Sequence, residues 1–250
     1  MLTIIIPFYN EESKNKKSLT QFLRELSKYI LQSFNKNNKF ILIDDGSEDR
    51  TVKELEKFFR KLKKNNKNKV ILIKNEKNRG HGYSIKRGFN LSKTKYVMSI
   101  PSDNDIPLID YTKFISQNID LVMLPWLNIE KYSTSRLLLS KLFNLFYNLV
   151  FNVKVNYIQA PCVYKRKIFK KIKVFSNVGG TFLAELAIKF LKRNITFTEI
   201  FIYYNNKSVI DRTVSVSNFL KIIKDFIFLF LEVYIINRKN YKNKAKKIYF

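Results

Sequence analysis

Along the first half of the chain, short β-branched runs alternate with longer stretches in which apolar residues return at helical spacing. Leu2–Pro7, Phe40–Asp44, Val70–Lys74, Tyr96–Ile100 and Asp120–Leu124 are mostly apolar runs of strand length, as strands buried on both faces require. Ser18–Ser33 and Thr51–Lys63 carry the helical period, and Tyr83–Leu91 carries it less regularly. Strand and helix in alternation predict βαβ units and an α/β fold with a mostly parallel, doubly wound central sheet flanked by helices.

The second half has a different texture. Leu137–Val153 is almost wholly apolar apart from Lys141, yet Arg136, Ser140, Asn144, Asn148 and Asn152 recur every four residues. On a helix that spacing draws a narrow polar stripe along an apolar cylinder. Phe219–Ile236 is similar, with Lys221, Lys224, Asp225 and Glu232 set among Phe, Leu and Ile. Neither reaches the roughly twenty uninterrupted apolar residues of a membrane span. Two readings stand side by side. The helices lie in a membrane interface with basic flanks toward lipid phosphates, or their apolar faces are buried against the sheet or in a homodimer. The basic, Asn-rich tail Arg238–Lys247 reads as a lipid-surface anchor or a disordered end.

Charge widens the choice rather than narrowing it. Lysine and arginine number 47 against 20 aspartates and glutamates, a net charge of +27. Such a field attracts nucleic acid, anionic lipid or a phosphorylated substrate, and it also arises simply from solvated, lysine-rich faces. With 46% hydrophobic and 15% aromatic residues the chain is far too apolar to be disordered. Cys162 is the single cysteine, which excludes an intrachain disulfide and reads as a buried structural thiol. The segment Met1–Pro7 has neither a basic leader nor a long apolar run, so a cytoplasmic location is expected.

Doubly wound sheets bind ligands beyond the carboxyl ends of their strands. Asn10-Glu11-Glu12 follows the first strand, Asp44-Asp45-Gly46-Ser47 ends the second, Asn78-Arg79-Gly80-His81-Gly82 follows the third and Ser102-Asp103-Asn104-Asp105 the fourth. Two carboxylates one residue apart, as in Asp103 and Asp105, reach a single hard cation such as Mg2+ or Mn2+. Open positions on that ion accept diphosphate oxygens and neutralise a departing nucleotide. Taken alone such a triplet is most often a solvated turn, and its position after a hydrophobic strand is what favours a metal. Asp44 and Asp45 are placed to accept hydrogen bonds from a base or ribose, while Gly46 permits the turn and Ser47 or Asp49 caps the helix that starts near Thr51. The glycine-containing loop brings backbone, Arg79 and Gly80 toward phosphates. His81, the sole histidine, builds no metal site by itself.

The ordered set Ile4–Glu12, Ile43–Thr51, Asn78–Gly82 and Asp103–Asp105 resembles family 2 glycosyltransferases, and within them the polyprenyl-phosphate (dolichol-phosphate) sugar transferases. The resemblance covers roughly the first 110 residues, and four motifs in order are far more specific than any one of them. It implies the Rossmann-like GT-A fold with C-terminal amphipathic helices, a nucleotide-sugar donor, a divalent ion (Mg2+ or Mn2+) and inversion at the anomeric carbon. Carried over by position, Pro7, Tyr9, Asn10 and Glu11 belong to the nucleotide pocket and Asp44 contacts the base or ribose. Asp103 and Asp105 hold the metal and diphosphate, with Asp105 catalytic. Phe182–Leu186 resembles the acceptor-side helix, with Glu185 its acidic residue. Asp211–Asn218 is similar to the family's R-x-x-G-x-S-K segment near the donor phosphates, with Arg212 its basic residue, Ser215 where the family has Gly and Asn218 where it has Lys.

On this resemblance residues 1–215 form the transferase domain, with a donor-binding half 1–125 and an acceptor-side half 126–215, and residues 216–250 an amphipathic, basic extension. The implied acceptor is a polyprenyl phosphate, already anionic, or a glycan hydroxyl, for which Glu185 is the candidate base. A peripheral position at the inner face of a membrane follows. A sugar-phosphate nucleotidyltransferase is an alternative, but a Gly-rich loop would then stand directly after the first strand, where Pro7-Phe8-Tyr9-Asn10 lies. A basic nucleic-acid-binding module leaves the acidic strand ends unexplained, so no specific nucleic acid is expected.

Overall fold

The computed structural model describes residues 1–32, 37–62, 68–128, 134–205 and 216–249. The chain forms two compact units, one of Met1–Lys113 with Tyr204–Ser208, the other of Phe114–Tyr203 with Val209–Phe250.

The first unit alternates β1 (Leu2–Phe8), α1 (Glu11–Gln32), β2 (Lys39–Asp44), α2 (Thr51–Lys61), β3 (Val70–Lys74), α3 (His81–Leu91) and β4 (Tyr96–Ser99). Its strands run in the order β3-β2-β1-β4, and all three pairings are parallel. All seven residues of β1 are buried, the signature of a central strand covered on both faces. α1 buries Leu19, Phe22, Leu23, Leu26, Tyr29 and Ile30, the helical period read from the sequence. It starts earlier than that period predicts. A short turn from Glu11 is kinked at Asn15, whose side chain then caps the main helix by accepting from the Ser18 amide at 3.0 Å.

Main-chain pairing along β1 explains where the sheet opens. Ile100 donates to Ile5 O at 2.9 Å and Asp45 donates to Phe8 O at 2.8 Å, so alternate residues of β1 address β4 and β2. Pro7 falls on the β4 side and has no N–H to give. The ladder with β4 therefore stops after Ser99, while that with β2 runs on to Phe8 and Asp44.

The second unit holds β5 (Leu121–Met123), α4 (Thr134–Phe151), β6 (Cys162–Lys165), α5 (Arg166–Phe169), α6 (Gly179–Leu191), β7 (Thr196–Glu199), α7 (Val216–Leu231) and β8 (Lys246–Lys247). Its order is β6-β5-β7-β8, antiparallel between β5 and β6 and parallel in the other pairs. Cys162 is buried, and that burial pushes its thiol up to about 12, so it is chemically quiet. The tail is not a disordered end. Ala245 donates to Leu191 O and Ile248 to Phe197 O, each at 2.8 Å, and Lys247 pairs with Glu199 at 2.6 Å.

The asparagine stripe of α4 faces protein. Asn144 and Asn148 both donate to Val155 O (3.2 and 2.8 Å), and their carbonyl oxygens accept from the Ile158 and Val155 amides. These side chains satisfy the backbone of a segment that has no strand partner. Among the described residues no helix is long and apolar enough to cross a membrane.

One packing contact is tight enough to test. A Cβ added at Gly88 of α3 would sit 2.6 Å from both Cγ atoms of Ile5, which is fully buried and branched at Cβ. Alanine gains about 1 kcal/mol of helix propensity over glycine, whereas overpacking a rigid core site costs about 1–3 kcal/mol. Gly88→Ala is expected to lower stability by about 1 kcal/mol in urea unfolding; a stabilised variant would show that Ile5 gives way freely.

Candidate functional site

The β1–α1 and β2–α2 loops are stitched together by side chains. Asn10 adopts a left-handed backbone (φ 49), which asparagine tolerates. Its amide donates to Ser47 Oγ at 3.0 Å and its Oδ1 accepts from the Glu48 amide at 2.9 Å. Asp49 accepts from the Ser13 and Thr51 amides, both at 2.8 Å. Burial pushes the Asp49 carboxyl up, but hydrogen bonds from Thr51 and Ser13 outweigh it and hold the group below its ordinary range. Lys14, which the motif reading passes over, donates to Tyr9 O at 2.5 Å and pairs with Glu11 at 2.9 Å. Of the expected pocket residues, Tyr9 thus has its carbonyl occupied and Glu11 its charge balanced locally. Pro7 is buried within β1.

The two aspartates at the end of β2 have different surroundings. Asp45 is 3% exposed and accepts from Asn75 Nδ2 (2.6 Å), the Arg79 amide (3.2 Å) and the Gly80 amide (2.9 Å), which fixes the loop into α3. Asp44 is 1% exposed; its Oδ2 accepts from the Gly46 and Ser47 amides at 3.1 and 3.0 Å, while its buried Oδ1 has no hydrogen-bond partner among the described residues. An ionised oxygen in that position costs free energy until a donor reaches it. Gly46 is obligatory: its φ is +72, and a Cβ there would lie 2.4 Å from the carbonyl carbon of Lys77. The exposed Arg79 guanidinium stacks on Tyr83 (3.9 Å to the ring centroid) and donates to its hydroxyl at 2.7 Å.

Beyond β4 the chain makes a turn at Ser102–Asp105. Asn104, left-handed at φ 64 and 1% exposed, turns its amide inward to Glu25 (3.1 Å). Asp103 and Asp105 are half-buried, and Asp103 Oδ1 accepts from the Asp105 amide at 3.2 Å. Asn205 anchors the turn from far along the chain, donating its amide to Asp105 O (2.7 Å) and its Nδ2 to Asn104 O (3.0 Å). No local pattern marks Asn205, because its role rests on a contact about a hundred residues away. β2 and β4 flank β1, so Asp44 and this turn leave the sheet two strand spacings apart, about 10 Å.

Two half-buried carboxylates one residue apart suit a divalent cation of the Mg2+ or Mn2+ type. Among the described residues no group of three His, Cys, Asp or Glu side chains converges on one point. Asp103 and Asp105 would hold such an ion only with oxygens from a substrate and water completing its shell, the usual mode for Mg2+.

Glu185 belongs to the second unit, on α6, and is 4% exposed. Its oxygens accept from the Phe175 amide (2.9 Å), the Ser176 amide (2.8 Å) and Lys189 Nζ (2.7 Å). Lys189 is itself fully buried, donates to Lys173 O at 2.7 Å and lies 3.9 Å from Glu232. The carboxylate expected to serve as a base is therefore spent on its own surroundings. Arg212 lies outside the described residues.

A dolichyl-phosphate beta-glucosyltransferase of Dictyostelium discoideum is 32% identical over 116 residues, 45% of this chain and 33% of that protein. The chain spans between a third and about half of the length of the curated relatives it matches. Among solved structures, mannosyl-3-phosphoglycerate synthase from Rubrobacter xylanophilus aligns with a TM-score of 0.65 at 15% identity, covering 95% of this chain and 76% of that one. Glucosyl-3-phosphoglycerate synthase from Mycobacterium tuberculosis, in complex with Mn2+, UDP-glucose and phosphoglyceric acid, aligns at 0.62 with 13% identity, covering 93% and 79%. These likenesses show the GT-A-like α/β fold. Residues 3–173, well over half of the chain, match glycosyl transferase family 2, and the protein belongs to that family.

Proposed function

We propose that the protein is an inverting, metal-assisted glycosyltransferase that moves a sugar from a nucleoside-diphosphate sugar to a polyprenyl phosphate at a membrane surface. The observation that carries this reading is the carboxyl edge of the first unit, where Asp44 keeps an unpartnered buried oxygen and Asp103 and Asp105 present two half-buried carboxylates. Asp44 Oδ1 accepts an N–H or O–H from the base or ribose. Asp45, Asn10 and Gly80 hold the loops that shape that pocket rather than touching the donor. Asp103 and Asp105 would hold a divalent ion beside the diphosphate, and that ion would supply Lewis-acid neutralisation of the departing nucleotide. The acceptor oxygen bonds to the anomeric carbon as the bond from that carbon to the diphosphate oxygen breaks, with no covalent enzyme intermediate.

The state of Glu185 favours a lipid phosphate over a glycan hydroxyl. Its lone pairs are committed to Phe175, Ser176 and Lys189, and a phosphate acceptor, already anionic near neutral pH, needs no base. The dolichyl-phosphate relatives, matched over about half of this chain, are in keeping with this acceptor. A peripheral position on a membrane follows from the acceptor's chemistry.

Three measurements test this. A panel of UDP- and GDP-sugars with Mn2+ is expected to raise the unfolding temperature for one donor, and chelation is expected to remove the gain. Asp105→Ala is expected to cut transfer by about 10²-fold or more at unchanged unfolding temperature, and full turnover in that variant would refute the metal role. Glu185→Gln is expected to lower stability by about 1–3 kcal/mol, since it weakens a buried ion pair, while kcat at a temperature where the variant stays folded holds near wild type. A loss of kcat with stability intact would restore Glu185 as the base.

A further inference from the structure

We infer that α4 and α7 together form the face that lies on the membrane, parallel to its plane, against anionic lipid headgroups. This rests on the membrane reading above and assigns it a surface. On α4, Leu138, Leu142, Leu145 and Leu149 are between 52% and 70% exposed. At about 100° per residue these positions fall on one strip of the helix. Leu220, Ile223, Ile227 and Phe228 of α7 are likewise 40–62% exposed. The two faces meet at Phe146, which is half exposed and lies 4.9 Å from the ring of Phe226. Exposed apolar area of this extent on adjacent helices is not left to water in a stable monomer.

The charge pattern selects the occupant. Lys141, Lys221 and Lys224 are exposed on these helices, α4 contains no carboxylate, and Asp225, the one acid of α7, is turned inward to Ser176 Oγ (2.6 Å) and Thr181 Oγ1 (2.7 Å). By helical spacing Lys224 sits within the apolar arc of α7, between Ile223, Ile227 and Phe228, and its ammonium lies 5.9 Å from the Phe228 ring. A second copy of this chain would set the same patch against itself, burying lysines with no acid opposite. A bilayer takes both parts: leucines and phenylalanines enter the acyl boundary while lysine stems reach back to the phosphates. Neither helix is a span, so the pair lies along the surface.

Co-sedimentation with vesicles of phosphatidylcholine and phosphatidylglycerol tests the assignment, comparing the full chain with a Leu142→Gln/Ile227→Gln variant of matched circular dichroism. The variant is expected to partition at least about tenfold more weakly, and the wild type to weaken with salt. As a second measurement, Leu142→Cys carrying an environment-sensitive dye is expected to shift to the blue on vesicles, while the same dye at Lys57→Cys on α2 does not; the buried Cys162 stays unlabelled. If the wild type remains in the supernatant, the membrane reading falls and this surface with it. Wild type and variant pelleting alike, with no dye shift, would leave membrane binding standing but place it elsewhere. A wild type that sediments as a dimer without vesicles, and a variant that does not, would give the face to a second copy.

Discussion

The main-chain ladder along β1 changes partners at Pro7, and the acidic edge of the first unit depends on that change. Up to Ile5 the strand is bonded on both sides, whereas beyond it only β2 follows. Proline is usually kept out of central strands because it leaves a ladder position without a donor. Here the missing donor coincides with the point where β4 must leave the sheet. β4 is released into the Ser102–Asp105 turn while β2 is carried three residues further along β1, to Asp44. A parallel sheet with all its strands ending level would offer a row of loops. One that loses a neighbour early sets its strand-end loops at different levels, here those that carry Asp44 and Asp103–Asp105.

Along that edge, neighbouring residues of the same chemistry have different surroundings. Successive side chains of an extended segment point to opposite sides, so Asp45 turns into the loop before α3 and is saturated by Asn75, Arg79 and Gly80, while Asp44 keeps one oxygen unpartnered. The same separation runs through the turn after β4. Asn104 occupies the left-handed position and spends its amide on Glu25, which leaves the flanking Asp103 and Asp105 partly exposed. An aspartate in the middle would place a third carboxylate beside Glu25. The asparagine therefore does structural work that lets its neighbours act as a pair.

Much of this was legible in the sequence, and the reason it stops is physical. The first four strands fall within one or two residues of their apolar runs, because a strand covered on both faces needs unbroken hydrophobicity. α1 was misplaced at its start because a kink and a cap at Asn15 leave no apolar mark. Strand ends pointed to these loops, yet nothing local separates Asp44 from Asp45 or reveals Asn75 and Asn205, since their contacts reach across the sheet. In the second unit β6, β7 and β8 are only two to four residues long, too short for a period. The asparagines of α4 formed a pattern whose spacing was legible and whose target was not. They answer the backbone around Val155 rather than solvent.

The excess of lysine explains less about the surface than the fate of the few acids. Among the described residues of the second unit the carboxylates are Asp120, Glu185, Glu199, Asp225 and Glu232, and each is consumed inside the protein. Asp120 takes Lys165 and the Thr196 amide, Glu199 takes Asn156 and Lys247, and Asp225 takes Ser176 and Thr181. Glu185 shares Lys189 with Glu232, which also accepts from Asn237. Lys189 and Lys192 are buried and Lys165 and Lys247 pair with Asp120 and Glu199, but most other lysines described in the unit are exposed, so it presents positive charge. In the first unit Asp103 and Asp105 are only half-buried, so carboxylates stand near the surface there despite the chain's net +27. The difference between the units follows from which carboxylates the fold needs for itself.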